Sequence, residues 1–203
     1  MAEKLVDLPG YSYLVDFYDS YANPKDKIAR ECGRGTFTKL KQGIYVTRAA
    51  LEEGIPMGLI ANRLYGPSYI SFAYALRLYS LIPEDVPNPT SATFCRRRKK
   101  RFDTSLCSFY YRDVPARAYP EEIVYRQTGR WRFLVASPEK ALCDELSTVT
   151  GIRSKKAMRA LLFDDLRIDE SGFEKLDRHR IVRLVPLYAS PTLDMLLSLC
   201  CSL

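Results

Sequence analysis

The sequence predicts an α+β protein: a small N-terminal winged helix-turn-helix, then a larger domain with a mainly antiparallel sheet and a helical C-terminal half. Three observations carry this. Two short helix-period segments give way to a glycine-turned hairpin before residue 48. Short β-type segments punctuated by Pro and Gly fill residues 90 to 136. From Ser137 onward the apolar spacing is helical again. The division falls at residue 55, with a DNA-binding module over 1–55 and an α+β domain over 56–203.

From Gly10 to Tyr21, Tyr13, Phe17 and Tyr21 recur every fourth residue with Leu14 and Tyr18 beside them, as one side of a short helix requires. Asn23 is a good N-cap and Pro24 a good first helical residue. Gly33 suits a left-handed cap, so a helix is expected from Pro24 to Cys32. Its inner face would be Ile28, Ala29 and Cys32, with Lys27, Arg30, Glu31 and Arg34 outward. Two strands follow, Thr36 to Leu40 and Ile44 to Thr47, around Lys41-Gln42-Gly43. A complete winged module has three helices; here two precede the hairpin, so the module is reduced or its first helix lies in Glu3 to Leu8.

Ala49 to Tyr65 reads as helical, interrupted at Gly54-Ile55-Pro56. Gly66-Pro67 makes a turn, and Pro67 or Ser68 opens a helix whose packed face is Ile70, Ala73, Tyr74, Arg77, Leu78 and Leu81 until Pro83 stops it. Strands are expected at Thr90 to Phe94, Arg101 to Thr104 and Leu106 to Arg112, then a hairpin from Glu122 to Arg126 and Arg130 to Ala136. Ser137-Pro138 opens a helix to about Thr148, and Ser154 to Phe163, Glu170 to Val185 and Pro191 to Cys200 have helical periodicity.

The net charge is +7 over 203 residues, and it is concentrated. Residues 24 to 48 hold seven basic side chains against Asp26 and Glu31, and residues 96 to 101 are six consecutive basic residues. Basicity confined to two places points to polyanion contacts at specific sites. In the first place the candidate DNA contacts are Lys25, Lys27, Arg30, Arg34, Lys39 and Lys41, on the helix and the hairpin behind it. In the second, Arg96, Arg97, Arg98, Lys99, Lys100 and Arg101 seek an anionic partner, for which DNA, an RNA and an acidic protein surface compete.

Other chemistries lack their residues. Six cysteines without a C-x-x-C spacing and a single His argue against a zinc site and a disulfide framework, so the thiols are read as reduced. No P-loop or G-x-G-x-x-G is present, and with no second His neither a Ser-His-Asp triad nor a His-metal cluster can be assembled conventionally. No cofactor or metal is expected. Asp164-Asp165 and Glu121-Glu122 lie in no recognised metal spacing, and Lys140 with Asp144 reads as a salt bridge on a helix surface. Tyr65, Tyr69, Tyr74, Tyr79, Tyr110 and Tyr111 fill a core by default, with base stacking as the competing use. No apolar run is long enough for a membrane span, and Met1 to Pro9 has no signal-peptide core, which predicts a cytoplasmic protein with no membrane partner.

One ordered set of motifs goes further. Tyr65-Gly66-Pro67-Ser68-Tyr69-Ile70-Ser71 is followed by a helix and Leu81-Ile82-Pro83-Glu84. Then come Thr90-Ser91-Ala92-Thr93, Phe109-Tyr110-Tyr111-Arg112, and Ala136-Ser137-Pro138-Glu139-Lys140-Ala141-Leu142-Cys143-Asp144. This order resembles the signature of the AbiEi family, the antitoxins of bacterial type IV toxin–antitoxin systems. Phe72-Ala73-Tyr74-Ala75 and Ser80 stand where that family has Leu-Glu-Ser-Ala and Gly. The resemblance implies a non-enzymatic autorepressor that binds operator DNA through a winged helix and acts in abortive infection against phage. Its functional partner would be a nucleotidyltransferase-like toxin, countered without a tight sequestering complex. Two alternatives stay open: a metal-dependent enzyme acting on nucleotides or nucleic acid through Asp164, Asp165 or Glu139, and a ligand-sensing transcription factor.

Overall fold

Proline and asparagine punctuate the N-terminal region as the sequence requires, and the computed structural model, which describes residues 5–96 and 99–200, follows them. Helix α1 spans Tyr11–Phe17 and α2 spans Pro24–Gly33, with the Asn23 side chain accepting from the Asp26 N–H and Pro24 at the first turn. The C-terminal end of α2 differs from expectation. Gly33 is still helical, Arg34 caps in a right-handed conformation, and the left-handed residue is Gly35 at φ 77°. Glu31, expected outward, is buried and Ala29 is exposed, because the Glu31 carboxylate gathers three donors at the helix end.

The hairpin pairs β1, Phe37–Lys41, antiparallel with β2, Ile44–Thr47. Its two faces serve different cores. Phe37 and Tyr45 join Leu14, Tyr18 and Ile28 in a cluster belonging to α1 and α2, whereas Leu40 and Val46 belong to the main core. Residues 7 to 11 run beside β2, where the carbonyls of Asp7 and Pro9 accept from Thr47 and Tyr45 and the Tyr11 N–H donates to the turn carbonyl of Gly43. Helices α3, Arg48–Glu52, and α4, Met57–Leu64, are separated by Gly54 at φ 83°, Ile55 and Pro56, as the breaker residues predict.

Six strands form the main sheet: β3 Tyr69–Ile70, β4 Thr90–Thr93, β5 Lys100–Asp103, β6 Ser108–Asp113, β7 Ile123–Thr128 and β8 Trp131–Ala136, in the order β5-β6-β4-β3-β8-β7. The β5/β6, β3/β4 and β7/β8 pairings are antiparallel, while β4/β6 and β3/β8 are parallel. The sheet is therefore mixed with an antiparallel majority, and the α+β class stands. Tyr69-Ile70, expected inside a helix, is instead a central two-residue strand buried on both faces. Helix α5, Phe72–Leu78, begins after it and buries Phe72, Ala75 and Leu76. The predicted packing face is thereby rotated, leaving Arg77 exposed.

Strand alternation sends neighbouring side chains to opposite faces of this sheet. On one face the Tyr111 hydroxyl donates to the Ala61 carbonyl of α4 (2.7 Å), and Phe133 lies against Gly58. On the other, Arg112 lies over Phe72 of α5, and Tyr69 reaches α6, Pro138–Leu146, whose N-cap is Ser137. The helical C-terminal half continues through α7, Lys155–Ala160, which runs into a π turn at Leu161–Asp165, then α8, Glu170–Glu174. Helix α9, Arg178–Leu184, ends in a tighter turn before α10, Pro191–Cys200. Among the described residues no helix is long and apolar enough to cross a membrane.

Candidate functional site

Six basic residues of the N-terminal region were candidates for DNA contact, and the fold sorts them by what each side chain touches. Lys25 and Arg30 are exposed on α2; the Arg30 Nε donates to the Asp26 carbonyl (3.4 Å). Lys27 is half-buried between the Tyr18 and Tyr21 rings and pairs with Glu31 at 2.8 Å. Arg34 reaches the same carboxylate oxygen at 3.4 Å, and the Thr36 hydroxyl donates to the other at 2.6 Å. Hydrogen bonds from Lys27 and Thr36 hold the Glu31 carboxyl below its ordinary range, and the Lys27 ammonium is correspondingly raised by its bond to Glu31. The free positive charge of α2 thus rests on Lys25 and Arg30. Lys39 is exposed on β1, and among the described residues no carboxylate pairs with Lys25, Arg30 or Lys39.

Lys41 does something the spacing did not foretell. The β1/β2 register shifts between Lys39 and Lys41, and such a bulge breaks strand alternation. Leu40 and Lys41 consequently both reach the main domain: Leu40 enters its core, and the Lys41 ammonium donates to the Leu64 carbonyl. That ammonium also lies 5.1 Å from the centre of the Phe102 ring, with the Lys100 ammonium 5.3 Å from the same ring. Burial, and secondarily the field of Lys100, lowers the Lys41 pKa.

The second basic segment divides by strand face. Lys100 and Phe102 share one face of β5, and Arg101 takes the other, where it pairs with Asp103 at 2.6 Å and lies over Tyr110. Arg96 stacks on the Tyr65 ring (5.1 Å) and donates to the Gly66 carbonyl (2.9 Å). Tyr65 in turn contacts Phe102, at 5.6 Å between centroids, and Tyr111 at 5.2 Å. Lys99 is exposed, and Arg97 and Arg98 lie outside the described residues. The structure therefore brings Lys41, Lys100 and Arg96 together around Tyr65 and Phe102. Phe102 was missed from sequence, although its i, i+2 relation to Lys100 already placed both on one strand face.

Lys140 and Asp144 keep the predicted spacing but not the predicted surface. Both are fully buried, paired at 2.9 Å, and the Asp144 carboxylate also accepts from Tyr188 (2.5 Å), Ser71 (2.6 Å) and Tyr69 (3.0 Å). Burial and then the Asp144 charge push the Tyr188 and Tyr69 phenols above their ordinary range. Glu139 accepts from the Ser137 hydroxyl and the Asp177 N–H, as a carboxylate near a helix start should. Asp164 and Asp165 are exposed in the π turn, and Glu122 pairs with Arg180 and Arg183. Among the described residues no three His, Cys, Asp or Glu side chains are placed to hold a metal ion. Tyr69 and Tyr111 fill the core, and the Tyr79 hydroxyl donates to the Ala136 carbonyl. A cleft of about 440 Å³ lies between the α2 end at Arg34, the hairpin at Thr36 and Thr47, α3, and Arg130 of the β7/β8 turn.

No protein-family model matches the chain, and no curated protein matches it.

Proposed function

We propose that this chain is a DNA-binding autorepressor of the AbiEi antitoxin type, acting in the cytoplasm without enzymatic activity. The observation that carries the DNA reading is the exposure of Lys25, Arg30 and Lys39, none paired with a carboxylate among the described residues, on a helix and hairpin with a hydrophobic cluster of their own. Cations without internal partners are available to phosphate oxygens, and a helix with a hairpin behind it is the winged-helix way of presenting them. In this reading α2 approaches the major groove and the hairpin lies along the adjacent backbone. The motif order from Tyr65 to Asp144 supports the second half of the proposal, that the main domain counters a nucleotidyltransferase-like toxin.

The DNA test is a mobility shift with duplex DNA from immediately upstream of the gene. Lys25→Glu with Arg30→Glu should abolish the shift. Reversal at Lys27 is a poorer probe, because it would leave the Glu31 carboxylate facing a second acid. Equal affinity for a scrambled duplex at physiological salt would sink specific repression. For the antitoxin half, co-expression with a neighbouring nucleotidyltransferase-like gene should restore growth that the neighbour alone arrests.

A further inference from the structure

The two ends of the main sheet are built differently. In the order β5-β6-β4-β3-β8-β7, β5 and β7 each carry one row of backbone N–H and C=O groups that no other described strand meets. At the β5 end that row is short and charged, with Lys100, Arg101 and Asp103 among four residues, which is how an edge strand is kept from pairing. Strand β7 has none of these devices. It runs for six residues, Ile123-Val124-Tyr125-Arg126-Gln127-Thr128, with one charge and neither Pro nor Lys. Its ladder with β8 continues from Ile123 opposite Ala136 to Thr128 opposite Trp131 without a bulge. Both Val124 and Tyr125 face solvent, and Tyr125 is 74% exposed.

An edge left open in this way is a template for another strand, and the charges of β7 select a copy of itself. The chain is acidic where β7 starts, at Glu121-Glu122, and basic further along, at Arg126. Antiparallel self-pairing therefore brings the acidic start of each copy to the basic part of the other. Arg180 at 3.1 Å and Arg183 at 2.9 Å hold Glu122 in place, whereas among the described residues Arg126 meets no carboxylate and lies 5.7 Å from the Tyr79 ring. Symmetry then restricts the register. Successive residues turn their backbone groups to alternate sides of a strand, so two copies about a two-fold axis must match outward residue with outward residue, and one residue faces its own copy. Arg126 on the axis would oppose like charges, and Tyr125 there would set Arg126 against Val124. Val124 on the axis sets Tyr125 against Ile123 and Arg126 against Glu122, apolar with apolar and base with acid.

We infer that β7 is a self-association edge: two copies of this chain pair their β7 strands antiparallel about Val124, joining their main sheets into one continuous sheet. The interface is isologous, so each contact off the axis is made twice. Main-chain hydrogen bonds supply its strength, and the Tyr125–Ile123 and Arg126–Glu122 contacts fix its register. No residue of α2 or the hairpin takes part, so this pairing stands or falls independently of the DNA reading.

The test is sedimentation of the full chain at concentrations from about 1 μM to about 0.1 mM, which should show a monomer passing to a dimer. Tyr125→Lys should raise the dissociation constant by about tenfold or more, and Val124→Lys/Tyr125→Lys should leave only monomer. Tyr125 is largely exposed, so the single variant should melt as the wild type does and a lost dimer cannot be ascribed to a lost fold. In a Cys95→Ser background, Val124→Cys should form a covalent dimer on mild oxidation and Thr128→Cys should not, because only the axial residue meets its own copy. A wild-type chain that stays monomeric throughout overturns the proposal, and so does a dimer that Val124→Lys/Tyr125→Lys leaves intact. Cross-linking through Thr128→Cys but not Val124→Cys overturns the register about Val124. A monomeric chain whose Val124→Lys/Tyr125→Lys variant loses rescue on toxin co-expression also overturns self-association and assigns the edge to a strand of another protein.

Discussion

Lys140 donates to Asp144 across one turn of α6 with both side chains sealed from solvent, whereas the Lys27–Glu31 and Arg180–Glu122 pairs each keep a partner partly exposed. Asp144 is the hub of the arrangement. One carboxylate oxygen takes Lys140 and Tyr188, joining α6 to the segment before α10, and the other takes Ser71 and Tyr69, joining it to β3 and the start of α5. Removing one member of a buried pair leaves an uncompensated charge, typically at a cost of about 3–5 kcal/mol. Asp144→Ala strands four donors and Lys140→Met only two acceptor contacts, so the aspartate variant should be the less stable of the two in urea unfolding. Equal destabilisation would mean that the tyrosine and serine bonds contribute nothing beyond the ion pair.

The same pair marks how far the sequence was readable. Its spacing was plain, because i, i+4 pairing is a property of the helix alone. Its burial was not, because that depends on α9, the turn after it and β3 closing over α6. Strand positions at β4 to β8 and the breaks at Gly54-Ile55-Pro56 and Ser137-Pro138 were legible for a related reason: alternation and Pro or Gly chemistry are local. Tyr69-Ile70 was read as helix because a two-residue strand buried on both faces carries no period to detect. Among candidate contacts, exposure of Lys25, Arg30 and Lys39 followed from local pattern. The capture of Lys27 and Arg34 by Glu31 depended on how the helix end folds back onto Thr36, and the inward turn of Lys41 on a bulge between two particular ladder positions.

Gly58 is a place where α4 approaches the sheet too closely for any side chain. A Cβ there would meet Phe133 ring carbons at 2.5 and 2.6 Å, and Phe133 is itself buried in the core. Gly58→Ala should therefore destabilise by about 1–3 kcal/mol through overpacking, despite alanine's better helix propensity. Phe133→Leu in the same chain should recover part of that loss, so the double variant would be more stable than the sum of the two single effects predicts. Additivity in guanidinium unfolding would show that α4 moves away freely.

Arg130 fastens residue 7 and α3 to the β7/β8 turn. Its guanidinium donates to both oxygens of Asp7, at 2.7 and 2.8 Å, and to both of Glu53, at 2.7 and 2.9 Å, while the Trp131 Nε1 also donates to Asp7. Asp7 in turn supplies the carbonyl that accepts from Thr47. Arg130→Ala should lower hydrogen-exchange protection at the Thr47 and Tyr45 amides by about an order of magnitude and leave the β3 and β8 amides unchanged. Arg130→Lys should not restore it, since one ammonium cannot span two carboxylates with paired bonds. Full protection in the alanine variant would show that the segment is held by its backbone bonds alone.

Glu31 links the stability of α2 to the charge it presents. Its carboxyl is held below the ordinary value by the bonds from Lys27 and Thr36, so the folded state favours the ionised form. A depressed carboxylate pKa adds stability that is present above the unfolded value of about 4.3 and is lost as pH falls through the lower folded value. Glu31→Gln removes that contribution, so unfolding free energy should decline less steeply with acidification below about pH 5 than in the wild type. The same change releases Lys27 and Arg34 from the only carboxylate that either meets among the described residues. Affinity for duplex DNA at neutral pH should then rise, and the salt slope should steepen by about 1 to 2 as the freed cations reach phosphates. A variant with the flatter acid limb but wild-type affinity and slope would separate the two roles, confining Glu31 to holding the end of α2 against Thr36.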